Sequence, residues 1–156
     1  MRAALFSPAL SRRLALLLMA LGLCMSAPDA NAAGPTDLGF NEMYAAQGVL
    51  GMQFSAKLLA LNGKPVRIKG FMAPPLKADG VFFVLTSAPV ALCPFCNAEA
   101  DWPADIVVAY MAPGERFVQN NAPIAATGIL EVGAATDPET GFVSMVRLRE
   151  TRICKL

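Results

Sequence analysis

The chain has 156 residues, with 13 Lys and Arg against 12 Asp and Glu, and no histidine. The balanced charge, without a basic run, argues against nucleic acid as a partner. The absent histidine removes the commonest zinc ligand, the commonest general base and every Ser-His or Cys-His pair, so chemistry must come from Cys, carboxylates, Lys, Tyr or Met.

Arg2, Arg12 and Arg13 form a positive start, and LALLLMALGL (residues 14–23) is an apolar run too short to span a bilayer. Ala30-Asn31-Ala32 fits the small-x-small cleavage rule. Residues 1–32 are therefore expected to be a signal peptide, cut after Ala32, leaving 156 − 32 = 124 residues in the periplasm. Ser11-Arg12-Arg13 only loosely resembles a twin-arginine signal, and Sec export is the expected route. Lipid attachment at Cys24 is not expected, because Leu23 stands where the lipoprotein pattern wants a small residue. No later segment has 18 uninterrupted apolar residues, so the exported chain is not expected to span a membrane.

Residues 33–60 read as an N-terminal extension with a short helix. FNEMYAAQGVLGMQF suggests that helix, with Asn41 as its N-cap, Phe40, Tyr44 and Gln47 along it, and Gly48 and Gly51 cutting it short. Asn62-Gly63 is a turn signal, and Val66, Ile68 and Gly70 then alternate with Arg67 and Lys69 as in a half-buried strand. APPL (residues 73–76) ends that strand. VFFVLT (81–86), DIVVAYM (105–111), IAATGILEVG (124–133) and FVSMVRLRE (142–150) read as four more. Gly128 marks a bulge or a close approach. Five short strands without βαβ alternation predict a mainly β fold: a small five-stranded OB-like barrel over residues 61–156, with a short N-terminal helical segment before it.

Three cysteines follow the cleavage site: Cys93 and Cys96 in CPFC, and Cys154. Their number is odd, so a monomer cannot pair them all. In an oxidising compartment the bland reading is a structural disulfide, either Cys93–Cys96 or one of these with Cys154. The second reading is a metal grip. Two thiolates at this spacing suit zinc or Cu(I), with Cys154, Met72, Met111, Glu99 or Asp101 as further donors. The third is thiol–disulfide exchange, with Cys93 as nucleophile and Cys96 as resolving thiol. That chemistry usually needs a helix N-terminus to favour the thiolate, and only NAEADW lies between CPFC and Pro103. The three stay open, in that order.

Trp102 is a candidate binding aromatic or a cap on the core, and Phe95 lies inside the motif. Glu99 and Asp101 suit a solvated loop as well as a carboxylate pair. Arg147, Arg149 and Arg152 form a basic stripe that an ordinary outward strand face explains. The methionines are scattered and form no copper motif.

LNGKPVRIKGFMAPPLKADGVFFVLTSAPVALCPFCNAEADWPADIVVAYM (residues 61–111) resembles exported bacterial proteins of the domain-of-unknown-function 3299 (DUF3299) group. The shared features are the Gly-Lys-x-Val-x-Ile-x-Gly strand, a Pro turn, a cysteine-containing loop and a Pro-then-IVxV strand. The resemblance implies a small OB-type barrel and an envelope protein without established enzymatic activity. Some relatives are similar to proteins encoded near envelope ABC-transporter genes, in settings that suggest metal supply. CPFC replaces the single cysteine, proline-rich run and frequent histidine of many relatives, so no ligand set is carried over.

The expected function is a non-catalytic binding or accessory module of the bacterial cell envelope. Its recognition surface would be residues 92–103, and its partner an envelope transporter or another periplasmic protein. A thiol–disulfide redox protein using CPFC is the alternative.

Overall fold

Alternation along β2 (Pro65–Met72) buries Val66, Ile68, Gly70 and Met72 and leaves Arg67 and Lys69 exposed. The architecture around it comes from a computed structural model that describes residues 34–45, 52–75, 80–90, 103–118 and 121–156. The other barrel strands are β3 (Phe82–Thr86), β4 (Ile106–Met111), β5 (Pro123–Thr136) and β6 (Val143–Lys155). The five form a closed ring, β2–β3–β4–β6–β5 and back to β2. Every seam is antiparallel except β4–β6, which is parallel. This is the expected mainly β, OB-like barrel, and among the described residues closure leaves no long unpaired edge.

The barrel interior is filled by Val66, Ile68, Met72, Phe83, Leu85, Val107, Ile124, Leu130, Val146 and Leu148. β3 and the first part of β4 are buried on both faces. Phe82, Val84, Ile106 and Val108 form a second cluster, with Val90, Tyr110 and Phe142 packed against it. That double burial explains why VFFVLT and IVVAY read as unbroken apolar runs.

Two backbone approaches require glycine. A Cβ on Gly70 would lie 2.5 Å from the Thr86 carbonyl oxygen, and one on Gly128 would lie 2.5 Å from that of Arg149. The β5–β6 register also shifts between Thr127 and Ile129, so Gly128 is both the bulge and the close approach that the sequence suggests. β6 runs past the expected end at Glu150, which takes φ 50 inside the strand instead of ending it.

The N-terminal segment differs from the expected helix. Phe40–Glu42 is a single 3-10 turn entered from Gly39, so Asn41 lies within the turn and is not a cap. Tyr44 then bridges Phe54 in antiparallel fashion. Gln47, Gly48 and Gly51 lie outside the described residues. The chain is turned back by bonds from Ala45 N to Gln53 O and from Ser55 N to Met43 O, each 2.9 Å. These antiparallel pairings spend the backbone groups that a helix would need.

The helix is α1 (Ala56–Ala60). It starts at Ser55, whose hydroxyl oxygen accepts from Leu58 N at 3.0 Å, satisfying one orphan N–H of the first turn. A sixth strand, β1 (Thr36–Asp37), pairs in parallel with Val66 and Arg67 of β2. Leu38, Met43 and Leu58 join the same core as the barrel residues. No helix among the described residues is long and apolar enough to cross a membrane.

Candidate functional site

The CPFC motif belongs to the connection between β3 and β4. Cys93, Phe95, Cys96, Glu99, Asp101 and Trp102 lie outside the described residues, whereas both ends of the connection are described. β3 and β4 pair from Phe82–Tyr110 to Thr86–Ile106. One more backbone bond, Ser87 N to Asp105 O at 3.0 Å, closes the neck. The buried Thr86 hydroxyl lies 2.7 Å from the Ala88 carbonyl oxygen and 3.2 Å from that of Phe71, so it braces the outgoing chain against β2.

Asn121 holds the outgoing chain four residues later. Its Oδ1 accepts from Val90 N at 3.0 Å, and its Nδ2 donates to Val90 O at 3.1 Å. Both backbone polar groups of one residue are thus met by one side-chain amide. Asn121 has φ 59, in the left-handed region that Asn tolerates better than most residues. Its own N–H donates to Met72 O at 2.8 Å, which fixes it to the end of β2. The sequence reading did not single out Asn121. The available signal was an Asn two residues before Pro123, which opens β5, since Asn and Pro clustered together favour a turn.

Cys154 stands apart from this neck in sequence. It is an exposed free thiol on β6, opposite Ala125 of β5, and its Sγ lies 3.6 Å from the Lys155 carbonyl oxygen. Of the other suggested donors, Met72 is wholly buried in the barrel and Met111 packs partly buried against that core. Among the described residues, no three His, Cys, Asp or Glu side chains gather as a metal site.

The basic stripe divides. Arg147 and Arg149 both bond Glu131, at 2.7 and 3.0 Å, while Arg152 is exposed. The Arg149 guanidinium also lies over the Tyr110 ring, 4.1 Å from its centre. Burial pushes the Glu131 carboxyl up, but its bonds from Arg149 and Arg147 outweigh this and hold it below its ordinary value. The stripe is largely an internally compensated sheet face.

A buried polar lock closes the other end of the β5–β6 hairpin. Asp137 Oδ1 accepts from the Thr140 amide at 2.9 Å and from the Thr140 hydroxyl at 2.7 Å. Burial raises the Asp137 carboxyl, yet the Thr140 bonds and the Tyr110 hydroxyl together hold it below its ordinary value. Burial and the bond to Asp137 push the Tyr110 phenol up.

No family model matches the chain, and no curated protein matches it. Among solved structures, the crystal structure of a DUF3299 family protein from Pseudomonas aeruginosa PAO1 is similar, with a TM-score of 0.54 and 14% sequence identity. The match covers 80% of this chain and 97% of that one. The group that the motifs of residues 61–111 resemble therefore includes a solved protein with the same overall fold, and at this identity the fold is what the likeness shows.

Proposed function

We propose that the protein is an exported, non-catalytic binding or accessory module of the bacterial cell envelope, with the β3–β4 connection and its Cys93–Cys96 pair as its contact surface. The observation that carries this reading is the neck. A long chemistry-bearing connection leaves a closed barrel from a fixed exit, braced by Ser87, Thr86 and Asn121. A rigid scaffold presenting one such connection suits recognition. The two thiols are soft donors that suit zinc or Cu(I). The DUF3299 resemblance adds a setting, metal supply beside an envelope ABC transporter, with that transporter or another periplasmic protein as partner.

The test is the intact mass of protein isolated from the exporting compartment, native and then denatured, with thiol alkylation. A chain lacking residues 1–32, and carrying an ion that is lost on denaturation with all three thiols then alkylated, supports a metal-handling module. A metal-free chain about 2 Da light with one free thiol indicates a disulfide, and its reduction potential then decides. A value below about −300 mV fits a structural clamp, and about −270 to −120 mV fits the thiol–disulfide redox alternative. A full-length, cytosolic chain would sink the export reading.

A further inference from the structure

We propose that a gap in the pairing of β2, at Lys69, is a docking slot for the free C-terminal carboxylate of a polypeptide. The inference goes beyond the reading of the β3–β4 connection and does not depend on it.

Backbone bonds alternate in direction along a strand. Lys64 O and both backbone groups of Met72 bond towards β5, through Leu130 N, Ala122 O and Asn121 N. Arg67 O bonds Leu38 N, and Ala73 N bonds Val84 O, on the opposite side. Even-numbered residues of β2 therefore serve β5, and odd-numbered ones serve β1 and β3. Lys69 falls between these last two partners. β1 pairs no further than Arg67, and its chain then leaves through the 3-10 turn Phe40–Glu42. β3 pairs no nearer than Phe71, because Ser87 N turns to Asp105 O instead of continuing along β2. Among the described residues, no backbone group pairs with the Lys69 N–H or C=O on this side.

A cleft of about 240 Å³ opens at the gap, lined by Asp37, Leu38, Gly39, Glu42, Arg67 and Lys69. Its two acids are already engaged. Arg67 holds Asp37 bidentately, at 2.6 and 3.0 Å. Glu42 accepts from Gly39 N at 2.9 Å and from Lys57 Nζ at 2.6 Å. Lys69 is exposed and, among the described residues, joins no ion pair. The slot thus offers an N–H and an ammonium as donors and a C=O as acceptor. The last residue of a polypeptide matches all three. Its N–H donates to Lys69 O, and its carboxylate accepts from Lys69 N and Nζ, the second bond being charge-assisted. The gap is one residue pair wide, so a strand end fits and a continuing strand meets β1 or β3. A chain's N-terminal amine would set two cations together.

The experiment uses the full chain, labelled for amide NMR. The probes are acetyl-dialanine with a free carboxylate, the same peptide amidated, and acetate. Without a probe, the Lys69 amide is expected to exchange with solvent at least about tenfold faster than that of Ile68, which faces Ala126 of β5. Equal protection of the two amides overturns the gap. The free-acid peptide is expected to shift the Lys69 signal saturably and to leave that of Ile68 in place. Amidation of the peptide should weaken binding by about tenfold, as fits the loss of a charge-assisted hydrogen bond. Lys69→Gln, which keeps the backbone slot and removes the cation, should do the same. An unmoved Lys69 signal overturns the proposal, and so does equal affinity for the amidated peptide or in Lys69→Gln. Acetate binding as tightly as the peptide also overturns it, since the slot would then hold a small anion and not a chain end.

Discussion

The Tyr110 hydroxyl donates to Asp137 Oδ2 at 3.1 Å, joining β4 to the turn between β5 and β6. Arg149 covers the same ring, and Asp137 holds its own turn through Thr140. The pair thus adds a side-chain link between β4 and the β5–β6 turn to the backbone pairing of β4 with β6.

Tyr110→Phe removes the donor and leaves the ring. A loss of about 1 kcal/mol is expected, since one modest hydrogen bond goes and the Thr140 bonds keep Asp137 partnered. Asp137→Ala abandons the Thr140 groups as well and should cost about 2–3 kcal/mol. Urea midpoints of both single variants and the double variant measure this. Strict additivity would show that the two residues do not act together.

The lock also sets a pH dependence. The folded Asp137 carboxyl lies below its unfolded value, so the unfolded chain takes up the proton first as pH falls. Its contribution is fully present above the unfolded value, about 3.9, and is lost as pH drops through the folded one. Tyr110 has the opposite sign. Its folded value is raised, so its contribution is present below about 10 and is lost as pH climbs through the folded value. Denaturation across pH 5 to 2 should show a shallower acid slope in Asp137→Asn than in the wild type, although Glu131 retains a slope of the same sign.

Gly128→Ala should destabilise by about 1–3 kcal/mol, the range of overpacking, because the added methyl meets a backbone oxygen at 2.5 Å and the Thr151 Oγ1 at 3.1 Å. Gly70→Ala meets the Thr86 carbonyl in the same way. Thermal melts of the two variants test both. An unshifted melt for either would mean that its neighbouring strand yields freely.

Thr151 is wholly buried, and its Oγ1 has no hydrogen-bond partner among the described residues. Thr151→Val replaces that hydroxyl with a methyl of similar size and removes a desolvated polar atom. Stability is expected to hold or to rise by about 1 kcal/mol. A clear loss on chemical denaturation would show that the hydroxyl is hydrogen-bonded in solution.

Leu58→Ala tests whether the N-terminal segment is part of the barrel's cooperative unit. Leu58 is wholly buried in the barrel core, so a loss of about 2–5 kcal/mol in one transition is expected. A small early transition that leaves the main one in place would instead make residues 34–60 a separate unit.

What was readable in the sequence follows from where the physics is local. Val66, Ile68 and Gly70 alternate, and Phe82, Val84, Ile106 and Val108 are apolar because both faces of their strands are covered, so five strands could be placed from pattern alone. β1 could not, since two residues carry no period. Its place is set by tertiary partners, including the bidentate Arg67–Asp37 pair at 2.6 and 3.0 Å. The helix was expected from Asn41, but the capping residue is Ser55, and Glu42 instead bonds Gly39 N and Lys57 Nζ. At the site, CPFC announces its chemistry by residue type. Asn121 does not, because its partner Val90 lies 31 residues away.

The parallel seam between β4 and β6 has a consequence for how the chain matures. β6 supplies one wall to β4 and another to β5, so β2, β3, β4 and β5 can form their antiparallel pairs and still leave the cylinder open. Nothing seals the interior until residues 143–155 arrive. A polypeptide threaded N-terminus first through a narrow pore would therefore emerge with most of its apolar strands already delivered and no lining yet able to shut water out. During that interval the unfinished sheet has two raw edges, those of β4 and β5, and its best protection against sticking to a neighbour is the speed with which its last strand follows.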